Sequence, residues 1–245
     1  MPSNERHHYA HPPIVEAVID TRFDAPLSEK DRERLRDRLK NKFPAIDEKK
    51  EIRVEVGPKG VSTNSIPAGF KMTAKNAVDL VLINPESFGT ARLAPYDRWE
   101  QLISIAKENF DALNKAVGRR KVVRLGVRFI NRIDIPQERM TGHSIYDFIN
   151  LGIALPKDLA RENGPFSFSI NFVEMSTGAR VILQGGQIIG ALLDHLSFNL
   201  DIDAFWDSDI PGRIDEMWQI AELLRKAKNA CFEHCITDSV RSLFQ

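Results

Sequence analysis

Three arginines spaced four residues apart have the side-chain type and spacing to bind a ligand or a partner together. The stretch RLGVRFINRIDIP, residues 124–136, alternates apolar and polar residues, as a strand with one buried face does. Arg124, Arg128 and Arg132 therefore share one face of that strand. A guanidinium binds planar carboxylates and phosphates through two parallel hydrogen bonds. The row, together with Arg22 on an earlier strand, predicts an anion or partner-binding site.

A purely structural interpretation of the same arginines stays open. The strand pattern in PPIVEAVIDTRFDAP, near the N-terminus, places acidic residues on one side. If the two strands lie antiparallel, opposite charges meet across them and contribute roughly 0.2–1 kcal/mol per pair. The expected pairs are Glu16 with Arg132, Asp20 with Arg128 and Asp24 with Arg124. Under this interpretation the arginines need no ligand.

An acid-rich segment offers a different chemistry. Asp201 and Asp203 lie on the same predicted strand face as His195, and such a set could hold a divalent metal in a hydrolase or nuclease. The spacing of a calcium-binding loop is absent, and polar residues are ordinary on the wet face of a half-buried strand. The metal-dependent enzyme therefore remains an alternative. The favoured interpretation assigns no cofactor and no catalytic residue.

The motif CFEHC brings Cys231, His234 and Cys235 within about one helical turn. Both cysteines fall on the apolar stripe of a predicted helix, where a free cysteine behaves as a small buried hydrophobe. A zinc site would need further ligands, because structural zinc is four-coordinate. We therefore expect a structural role for this motif.

Charge and composition restrict the partners. The 245 residues contain 34 Lys plus Arg and 34 Asp plus Glu, so no overall field attracts nucleic acid or anionic membrane. No apolar run approaches the roughly 18–20 residues that cross a bilayer, and the N-terminus has no signal-peptide pattern. Two cysteines in this chain fit the reducing cytoplasm. A protein partner, a nucleic acid bound through a local patch, and a homodimer all remain compatible with the sequence.

The elements that would position these residues repeat. Aligning FDAP with IDIP superimposes the two arginine-bearing strands without a gap, and each is followed by a helix, several strands and a long helix. The halves, 1–119 and 120–245, predict one pseudo-symmetric α+β domain. Its single curved antiparallel sheet, with helices on one side, resembles the TATA-binding-protein-like fold. A fold of this kind implies no function by itself.

Three local predictions accompany this architecture. Ser28 and Asp31 have capping-box spacing at the start of the first helix, and Asp97 with Glu100 repeats that spacing at the start of the second long helix. Residues 57–69 are rich in turn formers and predict a long loop. A short helix is expected in SIYDFINLG, residues 144–152.

Four segments also carry a family resemblance. PPIVEAVIDTRF, YDRWEQL, RLGVRFINRIDIP and FEHCITDSVRSLF occur in this order over nearly the whole chain. Together they resemble an uncharacterised, sporadically distributed family of bacterial and archaeal proteins of about this length. The resemblance brings no established activity or functional residue. The sporadic distribution of that family suggests an accessory or defence-linked role. The sequence as a whole predicts a non-catalytic cytoplasmic interaction or regulatory protein that acts through its sheet face or its N-terminal arm.

Overall fold

The computed structural model describes residues 9–57, 60–152, 165–190 and 192–245, with the side chains of 52–57, 61, 62 and 64 left outside the description. The α+β class predicted from the sequence is confirmed. In the described residues the strands are β1 Ile14–Phe23, β2 Ala45–Gly57, β3 Gly60–Thr73, β4 Asp79–Ile83, β5 Ser87–Leu93, β6 Val122–Pro136, β7 Ser167–Val173, β8 Arg180–Ile188 and β9 His195–Trp206. The helices are α1 Glu29–Leu39, α2 Trp99–Val117, α3 Gln137–Met140, α4 Ile214–Cys235 and α5 Asp238–Arg241.

The nine described strands form one large antiparallel sheet in the order β2-β3-β4-β5-β1-β6-β9-β8-β7. This order gives β6 two neighbours, β1 and β9. It also leaves β2 and β7 at the two edges of the sheet. The arginines of β6 can therefore meet residues of either β1 or β9. Among the described strands, β2 and β7 each have a neighbour on one side only.

Two compact units divide the chain. The first comprises residues 1–15, 128–204 and 225–245, and the second comprises 16–127 and 205–224. We call them unit 1 and unit 2. The strands β1, β6 and β9 and the helix α4 each contribute residues to both units.

In unit 2, α1 begins and packs as its sequence predicts. The Ser28 hydroxyl accepts a hydrogen bond from the Asp31 amide at 3.1 Å, and the Ser28 amide donates to the Asp31 carboxylate at 3.3 Å. These bonds satisfy amides that the first helical turn leaves without partners. The predicted apolar stripe of Leu35, Leu39 and Phe43 is buried. Capping and burial together fix this helix.

In unit 1, apolar side chains of the strands and α4 form the core. The side chains buried there include Phe129, Leu183, Phe198, Leu200 and Phe232. The N-terminal segment is attached to this unit, because the amide of residue 11 donates to the carbonyl of residue 244 at 2.9 Å. The phenol of Tyr9 also donates to the carboxylate of Glu233 in α4 at 2.9 Å.

A polar residue interrupts the apolar face of each of the two aligned strands, and each is satisfied by backbone. In unit 2 the Thr21 hydroxyl donates to the Phe88 carbonyl at 3.2 Å. In unit 1 the Asn131 side-chain amide donates to the Leu200 carbonyl at 2.9 Å. Both side chains are buried. Because a buried polar group costs little only when it is hydrogen-bonded, these bonds explain how the two strands tolerate the interruption.

Three local predictions were wrong. Residues 60–73 form the strand β3 and pair with β2, so most of the segment predicted as a loop is part of a long hairpin. The second long helix begins at Trp99 with Arg98 as its N-cap and no side-chain cap. The segment 144–152 contains only a single 3₁₀ turn, Ile145–Asp147. The first error concerns a polar segment, the second a helix boundary and the third a short apolar segment, and hydrophobic periodicity gives little information in each case.

Within the described ranges, the helices are all too short or too polar to serve as a membrane span.

Candidate interaction surface

Arg124, in unit 2, is the most enclosed of the predicted arginines. Its Nη1 donates to both carboxylate oxygens of Asp20, at 3.1 and 2.9 Å. The guanidinium carbon also lies 4.4 Å from the centroid of the Phe205 ring. Arg124 is thus buried, and its guanidinium is held by a carboxylate and an aromatic ring. Arg22, in contrast, is exposed near the end of β1, opposite Ser87 of β5.

Arg128, in unit 1, forms a forked ion pair with Asp201 of β9. Its Nε donates to Oδ1 at 2.8 Å and its Nη2 donates to Oδ2 at 2.5 Å. The two side chains differ in exposure: that of Arg128 is 44% exposed, whereas that of Asp201 is 9% exposed. Asp201 therefore fixes the orientation of a guanidinium that still reaches solvent.

Arg132 belongs to a second polar group in the same unit. Its Nε donates to Oδ2 of Asp134 at 3.0 Å, and the Ser197 hydroxyl donates to Oδ1 of the same carboxylate at 2.5 Å. Asp134 thus connects the half-exposed Arg132 to the buried Ser197. The result is a second arginine whose orientation is set by an aspartate.

The arginines have other partners than the ones predicted from the sequence. Arg124 rather than Arg128 binds Asp20, Arg128 binds Asp201, and Arg132 binds Asp134. The sheet order explains the partner of Arg128, since β9 lies on the other side of β6 from β1 and supplies Asp201. The sequence prediction considered a single neighbour for this strand.

The residues of the alternative metal site, Asp201, Asp203 and His195, all lie on β9. Asp201 uses both oxygens to accept from Arg128. The Nδ1 of His195 lies 2.8 Å from the Leu193 carbonyl, so that nitrogen carries the proton and donates. Asp203 follows on the same strand face as Asp201. In the part of the chain that the structure describes, no group of three or more His, Cys, Asp or Glu side chains is placed to hold a metal ion.

The CFEHC motif lies in α4, and both thiols are free and buried. A hydrogen bond between the two lowers the pKa of Cys231 and, together with burial, raises that of Cys235. The Nδ1 of His234 instead lies 2.7 Å from the Ala230 carbonyl on the same helix. These contacts fit the structural role expected from the apolar stripe.

One feature that the sequence analysis missed is Gly126. A Cβ built on this residue would lie 2.6 Å from Nη1 of Arg124 and closer still to Oδ1 of Asp20. The ion pair therefore lies directly over the bare backbone of β6. A glycine inside a strand often marks such a close approach, which is the signal that could have revealed it.

We expect Gly126→Ala to lower the free energy of unfolding by about 1–2 kcal/mol. The new methyl group displaces Arg124 and Asp20 from their contact, and that loss exceeds the small gain from a less flexible unfolded chain. Gly212→Ala is the matched control, because no atom lies within 4 Å of a Cβ built there. In an Asp20→Ala background the cost of Gly126→Ala should shrink, as measured by urea unfolding. An equal cost in both backgrounds would contradict this explanation.

Comparison of the sequence with protein-family models and with curated proteins gives no match.

Proposed function

We propose that this chain is a non-catalytic interaction protein that presents Arg128 and Arg132 to a partner protein. The observation that carries the proposal is the forked pair of Arg128 with Asp201, in which a nearly buried carboxylate orients a half-exposed guanidinium. An arginine that is already oriented loses less conformational freedom on binding. Arginine is also enriched among the residues that dominate the energy of protein interfaces.

The charge balance of this surface favours a protein over a nucleic acid. Each of the two half-exposed arginines lies beside an aspartate, Asp201 or Asp134. Nucleic-acid affinity comes largely from cations that neutralise phosphates, so paired arginines contribute less to it. A protein surface with mixed polar groups can exchange hydrogen bonds with such pairs without needing a net positive patch.

The metal-dependent hydrolase or nuclease is the second candidate. It would need Asp201 to exchange Arg128 for a metal ion, and the forked hydrogen bonds at 2.8 and 2.5 Å oppose that exchange. For the fold, we also propose an internal duplication and a TATA-binding-protein-like sheet with helices on one side. For the biological role, we propose a cytoplasmic accessory or defence-linked function and membership of the sporadically distributed family.

Metal and nucleic-acid assays on the full chain separate these functions. We expect no cleavage of single- or double-stranded DNA or RNA with Mn²⁺, and no association with labelled oligonucleotides at physiological ionic strength. Cleavage that Asp201→Asn abolishes would establish the enzyme instead. Binding that falls steeply with salt and is lost in Arg128→Gln would establish a nucleic-acid partner. Circular dichroism of both variants controls for folding.

A further inference from the structure

The edge strand β7 in unit 1 has an apolar face that stays exposed. Phe168, Ile170 and Phe172 alternate along SFSINFV and share one face. In the pairing with β8, Ile170 lies opposite Leu183 and Phe172 opposite Val181. Both β8 residues are buried, whereas Ile170 is 47% and Phe172 37% exposed. Among the residues that the structure describes, the apolar face of this unit therefore continues to the sheet edge, where nothing covers it.

The other edge strand is protected in the way that natural sheets usually are. β2 carries charged residues at Asp47, Glu48, Lys49, Lys50, Glu51, Arg53 and Glu55, and its pairing with β3 shifts register between residues 49 and 50. Charges and irregular pairing discourage the addition of another strand. β7 contains no charged residue, and its described pairing with β8 is regular over all seven residues. Of the two edge strands in the described sheet, β2 therefore has both protective features and β7 has neither.

We infer that β7 pairs antiparallel with β7 of a second copy of this chain. A two-fold axis perpendicular to the sheet and centred on Ile170 would place each residue opposite its symmetric counterpart. Phe168 would then face Phe172 of the second copy, and Ser169 would face Asn171. The apolar face of the strand is thus its own complement, with Phe168, Ile170 and Phe172 meeting their counterparts. On the other face Ser169 meets Asn171, and at the ends Ser167 would face the exposed Val173. Identical surfaces on both copies define a closed, isologous dimer.

Further apolar residues are exposed near the two ends of β7. Met175 follows the strand and is almost fully exposed. At the opposite end, Ile189 and Leu193 are exposed in the connection after β8, where the amide of residue 187 donates to the carbonyl of residue 166. In an antiparallel pair the beginning of one strand lies beside the end of the other. In the two-fold register Met175 of one copy would lie opposite Pro165 of the other, at the end of β7 near which Ile189 and Leu193 are exposed.

A second copy explains this surface better than an unrelated strand does. Opposite residues in an antiparallel pair interact directly, and apolar pairs contribute roughly 0.2–1 kcal/mol each. The β7 pairing brings no charged residue to the interface, matches the three residues of the apolar face, and adds backbone hydrogen bonds along the edge. It uses none of the arginines of the interaction surface, so dimerisation and the proposed function can fail independently.

Sedimentation velocity of the full chain over a range of concentrations tests the inference. We expect a dimer for the native protein and a monomer for Ile170→Lys, which would place two lysines face to face on the axis. Ile46→Lys is the matched control, because Ile46 lies on the other edge strand and is 39% exposed. It should remain dimeric. Circular dichroism should show that both variants are folded.

The register has its own test. Under copper-phenanthroline oxidation, Ile170→Cys should form a disulfide between two copies, with two thiols losing two protons and two electrons to the oxidant. Ser169→Cys should not link to itself but should link to Asn171→Cys, because these positions face each other. The native cysteines are buried and should not compete. A monomeric native protein, or a dimer that survives Ile170→Lys, would overturn the inference.

Discussion

Replacing Lys228 with methionine is expected to stabilise the protein near neutral pH and to flatten its stability between about pH 7 and 10. Lys228 is buried in α4, with its amine 3.8 Å from the centroid of the Phe129 ring. Burial, followed by the charge of Arg225, lowers the pKa of this amine from 10.5 to about 7, while Glu233 and Cys231 act in the opposite direction.

The sign of the effect follows from proton binding. Because the pKa of Lys228 is lower in the folded state, the unfolded chain binds more protons between about pH 7 and 10.5. The free energy of unfolding therefore rises with pH across that window, and the cost of burial is fully present below pH 7. Methionine keeps most of the side-chain volume and has no charge to bury. The gain near neutral pH should be on the order of a few kcal/mol.

Urea unfolding at about pH 6.5, 8 and 9.5 measures this effect. Lys107→Met is the matched control, because Lys107 is exposed and lies 6.0 Å from the centroid of the Trp218 ring. The control should keep the native pH dependence. If Lys228→Met keeps the native slope as well, the amine does not titrate in this window and the explanation is wrong.

Arg128→Ala should lower the free energy of unfolding by about 2–3 kcal/mol, because it leaves the nearly buried Asp201 without its forked donor. A cycle with Asp201→Asn should give a coupling energy of about 1–2 kcal/mol. The exposed neighbours Arg98 and Asp97 supply the control. Their pair should couple by less than about 0.5 kcal/mol, as surface ion pairs commonly do.

A coupling energy near zero for Arg128 and Asp201 would mean that the aspartate does not hold the arginine in solution. Arg128 would then not be held in one orientation for a partner, even if Arg128→Ala alone were destabilising. Single variants cannot make this distinction, because each also removes whatever other contacts the side chain makes.

Local features of this chain could be predicted from the sequence because neighbouring residues determine them. The capping box at Ser28 needs only Asp31, three residues later. The buried stripe of α1 follows from helical periodicity, and the alternation in β6 follows from the two-residue repeat of a strand. In each case the information lies within a few residues of sequence.

The partners of the arginines could not be predicted in the same way. They depend on which strand lies on each side of β6, and β9 is about 70 residues away in the sequence. The alternation of β6 identifies the face on which Arg128 lies but not the carboxylate that it meets. The same limit applies to β7, whose apolar alternation predicts a buried face until its position at the sheet edge is known.

The central claim is that Arg128 is presented to a partner protein, and affinity purification of the tagged chain from the cells that encode it tests this most directly. Quantitative mass spectrometry would compare the native chain with Arg128→Gln and with the exposed control Lys40→Gln. We expect the native chain and the control to retain the same protein. Arg128→Gln should reduce its recovery, with an affinity loss of about 30-fold for an arginine worth roughly 2 kcal/mol. Equal recovery with all three folded chains, or retention only of material that nucleases remove, would contradict the claim.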